Sequence, residues 1–237
     1  MSRAQYLEAL GVDVWVPRVR LPLGTAPAPA AAAPAVAVAT GDADSWQAVR
    51  AEVASCRRCG LCEGRTQTVF GVGDTAARWL VIGEAPGEQE DLAGEPFVGP
   101  AGQLLDKMLL AIDLPRSTVF IANILKCRPP GNRDPRPEEV AQCLPYLERQ
   151  IRLIEPTLIL CVGRIAAQTL LQTDTPLGRL RGRVHAFGPL QTPVVVTYHP
   201  SYLLRTPGEK RQAWQDLKFA RQTFDQLSAT RPDGHRS

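Results

Sequence analysis

Six cysteines are the first residues in this chain whose types and spacing point to chemistry. Cys56-Arg-Arg-Cys59 is a C-x-x-C turn, Cys127 lies 68 positions beyond Cys59, and Cys143 lies 16 beyond Cys127. A tight pair and two distant cysteines can converge as four thiolates, the donor set of a zinc ion or a four-iron cluster. Cys62 could replace Cys59 in such a set, whereas Cys161, inside TLILCVG, reads as a small buried hydrophobe. Disulfides are the weaker reading. The opening decapeptide contains Arg3, Gln5 and Glu8 and has no apolar core segment, so it does not read as a secretory signal and a reducing, cytoplasmic setting is expected.

A second group of residues sits where apolar runs end. Gly83-Glu84-Ala85-Pro86-Gly87 makes a tight turn whose backbone can approach a ligand. It is not a phosphate loop, because no Gly-Lys-Ser/Thr follows. Phe97, in a loop of glycines and prolines, is either a base-stacking platform or a core plug. Asn123 lies within the apolar run VFIANIL, where its amide needs partners from a loop or from a ligand. His199 opens HPSYLLR, while the other two histidines lie elsewhere, His185 in a basic stretch and His235 near the end of the chain. Lys126, Arg128 and Arg133 surround Cys127; Arg179, Arg181 and Arg183 alternate; and Arg205 closes the histidine loop. Stiff, cationic loops suit phosphate backbones, although a solvated basic face has the same composition. Glu88, Glu90 and Asp91 read as solvated or helix-capping.

The elements that must position these residues follow from pattern. Apolar, β-branched runs at 79–83, 119–125, 157–163 and 194–198 alternate with helical periodicity at 99–112, 137–154, 164–171 and 209–227. A further helix is expected over 45–58, with Ser45 as its N-cap. Strands buried on both faces and alternating with helices predict an α/β/α sandwich around a four-stranded parallel sheet, with the ligand at the carboxyl ends of the strands. Residues 26–40 hold nine alanines and three prolines and read as a semi-extended linker. The organisation expected is therefore a short amphipathic peptide over 1–25, a linker over 26–43, one domain over 44–228 and a tail over 229–237.

The 237 residues, 44% hydrophobic and 22% charged, suit a globular protein and exclude disorder throughout. No run approaches the roughly 18 apolar residues of a membrane span. The net charge of +3 alone does not mark a nucleic-acid binder.

Taken in order, CRRC at 56–59, EGRT at 63–66, GEAPG at 83–87, EPFVGPAGQLLD at 95–106, NILKCRPPGNRDP at 123–135, Cys143 and HPSYLLR at 199–205 resemble the family-four, iron–sulfur uracil-DNA glycosylases. The resemblance implies a uracil-DNA glycosylase-like fold and a 4Fe-4S cluster on Cys56, Cys59, Cys127 and Cys143. It also implies a monofunctional enzyme that flips uracil out of DNA and hydrolyses its glycosidic bond. By the same resemblance, Phe97 stacks on the base, Asn123 reads its amide edge, and the backbone at Ala85 lines the pocket. His199 then stabilises the leaving base and Glu84 handles water; Lys126, Arg128, Arg181 and Arg205 are expected to hold DNA because they cluster at the ligand end of the sheet. The better-known uracil glycosylases carry an aspartate where Ala85 falls. A related branch traps uracil through a histidine in an inserted loop after the asparagine strand, and residues 126–139 contain neither histidine nor insert, so turnover is expected. The first residues are similar to the N-terminal peptide of the psi subunit of the bacterial polymerase clamp loader, which implies a replication-protein partner for an otherwise monomeric chain. The competing reading is a non-catalytic iron–sulfur or zinc nucleic-acid-binding module recruited to replication by that peptide.

Overall fold

The computed structural model describes residues 45–230. The N-terminal peptide, the linker and the end of the tail lie outside the described residues. Helix α1 (Trp46–Ala54) begins where Ser45 accepts a hydrogen bond from the Ala48 amide at 3.2 Å, satisfying an otherwise unpaired first-turn donor. Its buried Val49 and Val53 face the core. The short α2 (Leu61–Gly64) follows, then strands β1 (Val72–Gly73) and β2 (Trp79–Gly83). Helices α3 (Glu88–Ala93) and α4 (Pro100–Ala111) lead to β3 (Phe120–Asn123), α5 (Pro137–Ile154) and β4 (Leu158–Val162). The chain continues through α6 (Arg164–Leu170), α7 (Leu177–Leu180), β5 (Val184–Phe187), β6 (Thr192–Thr197), α8 (Pro200–Arg205) and α9 (Lys210–Thr230).

The sheet order is β1-β3-β2-β4-β6-β5. The inner four strands, β3-β2-β4-β6, pair in parallel and coincide with the four apolar runs. Every residue of β2, β3 and β4 is buried, which explains their unbroken hydrophobicity. The expected four-stranded, wholly parallel sheet is corrected by two antiparallel edge strands. One, β1, is only two residues long, too short to leave a period. The other, β5, alternates exposed and half-buried positions, and its Val-His-Ala-Phe continues a basic stretch. His185 is therefore a strand residue, its ring nitrogen 2.7 Å from the Leu180 carbonyl.

Two apolar layers sandwich the sheet. Val49, Leu147 and Ile151 pack with Leu80 and Ile82 on one side; Leu105, Met108 and Leu217 pack with Val81 and Leu160 on the other. Each such buried aliphatic side chain contributes about 1.5–3 kcal/mol. Because the inner strands run in parallel, the loops after Gly83, Asn123, Val162 and Thr197 all open at one edge of the sheet.

Candidate active site

At that edge lies a cavity of about 630 Å³, lined by Glu84, Ala85, Phe97, Asn123, His199 and Arg205 together with Glu90, Asp134, Arg164, Tyr198, Ser201 and Tyr202. Side chains from Glu84 to Arg205 thus share one pocket because parallel strands end side by side.

Backbone closeness sets the geometry. A Cβ on Gly83 would come within 2.4 Å of Asn123 Oδ1 and 2.6 Å of Phe97 Cζ, so only glycine lets these two side chains meet over the strand end. Phe97 is buried and adopts φ 55°, a left-handed conformation that the surrounding structure must hold. Arg116 does so from one side, donating to the Pro96 carbonyl at 2.6 Å and the Phe97 carbonyl at 3.3 Å while paired to Asp106. Glu90 does so from the other. One carboxylate oxygen accepts from the Val98 and Gly99 amides, and the second accepts from Gly87 at 3.1 Å. Glu90 therefore ties the GEAPG turn to the Phe97 loop. Asp91, read from sequence as solvated or capping, is buried and accepts from the Thr66 amide through both oxygens.

Asn123 is 2% exposed, and its Oδ1 is buried without a hydrogen-bond partner. A buried acceptor left empty is costly unless a ligand completes it.

His199 caps α8. Its Nδ1 accepts from the Ser201 amide at 3.1 Å and lies 2.7 Å from the Ser201 hydroxyl. An amide can only donate, so Nδ1 is the acceptor and the ring proton of the neutral form is assigned to Nε2. Burial, reinforced by Arg205 and opposed by Glu90, pushes this imidazole down to about 4. His199 is thus a neutral donor at physiological pH. Its ring centroid is 5.6 Å from that of Phe97. Gly163, at φ 100°, leaves room for it: a Cβ there would sit 3.0 Å from His199 Cβ. Glu84 moves the other way. Burial and the neighbouring Asp134 raise its carboxyl to about 7, with Arg164 opposing. Arg164 and Asp134 form a 2.9 Å ion pair at the rim.

Two of the four expected DNA-binding cations are engaged by partners within the fold. Lys126 is 1% exposed; its ammonium donates to the Asn123 carbonyl at 2.9 Å and to Gln150 Oε1 at 2.6 Å, and burial lowers it to about 8. Arg181 is half-buried, pairs with Asp216 at 2.7 Å and donates to the Tyr198 hydroxyl at 2.9 Å. Lys126 does not face solvent, and Arg181 is held by its partners. Sequence marks a cation but not the partner that buries it. Arg205 lies exposed at the rim, and half-buried Arg128 donates to Asn132. The capping role read for Glu90 is present, its carboxylate accepting from the Gly87 amide at the start of α3, but reading by residue type missed Arg116, Asp134, Arg164 and Ser201. Only Ser201, two residues after His199, left a local signal.

The thiols form a second centre behind β3. Cys56, Cys59, Cys62, Cys127 and Cys143 line one small cavity with Arg65 and Tyr146. Arg65 donates to Cys127 Sγ at 3.0 Å, and the Lys126 amide donates to Cys143 Sγ at 3.2 Å. Such donors suit thiolate sulfur. Burial pushes the Cys143 thiol up to about 12, so it stays a neutral thiol unless a bound cation displaces its proton. Among the described residues, no three His, Cys, Asp or Glu side chains close tightly enough to hold a single metal ion. The soft, all-sulfur donor set itself fits a thiolate-bound metal group. Also among the described residues, no helix is long and apolar enough to cross a membrane.

The family model of the uracil DNA glycosylase superfamily matches residues 70–218. The chain is 44% identical over 182 residues to the type-4 uracil-DNA glycosylase of Archaeoglobus fulgidus, covering 74% of this chain and 91% of that protein. It is 39% identical over 186 residues to that of Sulfurisphaera tokodaii, covering 76% and 84%, and 39% identical over 177 residues to that of Pyrobaculum aerophilum, covering 72% and 90%. With the pocket, the parallel core and these similarities in agreement, the chain belongs to the uracil DNA glycosylase superfamily, among the type-4 uracil-DNA glycosylases.

Proposed function

We propose that the protein removes uracil from DNA by hydrolysing the bond between base and deoxyribose, leaving an abasic site. The observation that carries this reading is the empty Asn123 Oδ1, buried beside the Phe97 ring in the pocket that also holds His199. Uracil presents an N3–H donor between two carbonyl oxygens. Asn123 Oδ1 accepts that N–H and its amide donates to the adjacent oxygen. Cytosine has an acceptor at N3 and leaves the asparagine unpaired, a mismatch that discriminates strongly. Base and side chain meet only after the nucleotide is turned out of the stack.

As the glycosidic bond breaks, negative charge gathers on uracil and positive charge on the sugar. His199 donates from Nε2 to the uracil oxygen that takes up charge, and its neutrality keeps the proton on the ring through the reaction. Glu84, balanced near neutrality, orients the attacking water and offsets the sugar's charge. Ala85 supplies only backbone. Residues 126–139 offer no histidine to capture the sugar, which supports turnover.

The thiol cavity suits a 4Fe-4S cluster on Cys56, Cys59, Cys127 and Cys143. Thiols lining one common cavity are the donor type that holds such a cluster. When bound, that group supplies a cross-link between the C-x-x-C turn, the loop after β3 and α5. Arg205, exposed at the pocket rim, is the cation placed to meet phosphates, while Arg128 and Arg164 are ion-paired to Glu88 and Asp134. A replication partner for the N-terminal peptide remains part of the proposal and concerns residues outside those described.

The test is incubation with an oligonucleotide containing one uracil, then alkali to cut abasic sites. Cleavage confined to the uracil position is expected; an uncut strand with bound protein would favour a binding module. Iron analysis of Cys127→Ser and Cys62→Ser decides the ligands, with loss expected only for the former.

A further inference from the structure

Asn123 ends β3, and its carbonyl has lost the strand that should pair with it. The Ile124 and Leu125 amides turn to Gly83 and Glu84 on the β2 side, at 2.9 and 3.0 Å. By strand alternation the Asn123 carbonyl faces the opposite edge. There β1 covers only Phe120 and Ile121. Lys126 fills the gap: its ammonium, buried three residues further on, donates to that carbonyl at 2.9 Å. Gln150 on α5 holds the ammonium through Oε1 at 2.6 Å and donates its own amide to the Phe70 carbonyl at 3.0 Å. Lys126, Gln150 and Asn123 are all 2% exposed or less. A fully buried lysine is costly, and apolar packing would fill this volume without it.

We infer that Lys126 is a positioning residue for base recognition: with Gln150 it anchors the Asn123 backbone so that the side-chain amide stands ready at the pocket. The lysine touches neither uracil nor the reacting atoms. The Lys126 amide also donates to Cys143 Sγ, which ties this anchor to the thiol cavity on its far side. The inference rests on Asn123 being the base reader of a uracil-DNA glycosylase.

The experiment measures affinity for free uracil, by competition with excision, in wild type, Lys126→Met, Asn123→Ala and the double variant, with iron content and affinity for abasic DNA as controls. Wild type that neither excises nor is inhibited by uracil would defeat the functional reading itself. Given an active wild type, Lys126→Met should bind uracil about tenfold more weakly, the scale of one misplaced hydrogen bond. Its affinity for abasic DNA should be retained. The double variant should be no weaker than Asn123→Ala, because both changes disable one contact. Unchanged uracil affinity in Lys126→Met, or effects that multiply in the double variant, would overturn the inference. If Lys126→Met fails to fold or loses iron, Gln150→Met decides by the same readings, since it removes the acceptor that holds the ammonium and keeps every cysteine.

Discussion

At the scale of single residues, two titratable groups are moved in opposite directions by one pocket. Burial lowers His199 to about 4 and raises Glu84 to about 7. The single-turnover rate should therefore rise with pH through about 7 as Glu84 ionises, and level off above it. His199, already neutral, adds no falling limb above about pH 5. A profile flat through neutrality in wild type would remove Glu84 from the chemistry; Glu84→Gln should abolish the limb. The same variant carries a stability signature. A carboxyl raised in the folded state is penalised once the unfolded chain ionises, so Glu84→Gln should stabilise the fold at pH 8 and have no such effect below pH 4. Equal melting shifts at both pH values would contradict the burial argument. His199→Ala should slow single turnover by about 10²–10³, the usual loss for one transition-state donor, with abasic-product binding little changed. A rate near wild type would take His199 out of the mechanism. Both residues were legible in sequence because each follows an apolar run. Their tautomer and poise were not, since these depend on how Ser201 and Arg205 fold back on His199 and on Glu90 and Asp134 arriving from other segments.

Among the elements, the inner strands and long helices were readable from period alone: α5 spans the residues its pattern predicts, and β2 matches its apolar run. The edge strands were not, because two residues in β1 and a histidine-bearing tetrapeptide in β5 carry no period that outweighs their neighbours. The turn after β2 shows what an element contributes beyond its own residues. Gly83 has an ordinary backbone, yet its missing Cβ is the space in which Asn123 Oδ1 and Phe97 Cζ meet. Gly83→Ala should therefore keep the fold while displacing both base contacts. Uracil excision should fall about tenfold or more, the scale of losing positioned contacts, and uracil affinity should weaken with it. The measurement is excision rate beside a melting curve. Wild-type excision with an intact fold would show that the strand end is looser than the contacts require.

For the molecule as a whole, the decisive distinction is between cations that face solvent and cations already spent on the fold. Sequence placed Lys126, Arg128, Arg181 and Arg205 together as basic residues on the ligand-side loops, and nothing in residue type separates them. The structure does: Lys126 is enclosed by Asn123 and Gln150, and half-buried Arg181 is paired to Asp216, Tyr198 and Gln212. Arg205 stands exposed at the pocket rim. A phosphate contact releases counterions, so losing one should flatten the dependence of log affinity on log salt by about one unit, for every DNA sequence alike. Arg205→Ala should do this and leave the melting temperature close to wild type. Arg181→Met should do the reverse. It leaves Asp216 buried beside Thr197 without its cation, a change that costs about 3–5 kcal/mol, while the salt slope of whatever remains folded stays that of wild type. The measurement is a salt titration of binding to DNA carrying an abasic site, with a denaturant melt of each variant. A full slope in Arg205→Ala would move the phosphate track off the histidine loop. A flattened slope in Arg181→Met would mean that this arginine leaves Asp216 to reach DNA, and that the network of Arg181, Asp216 and Tyr198 opens when DNA binds.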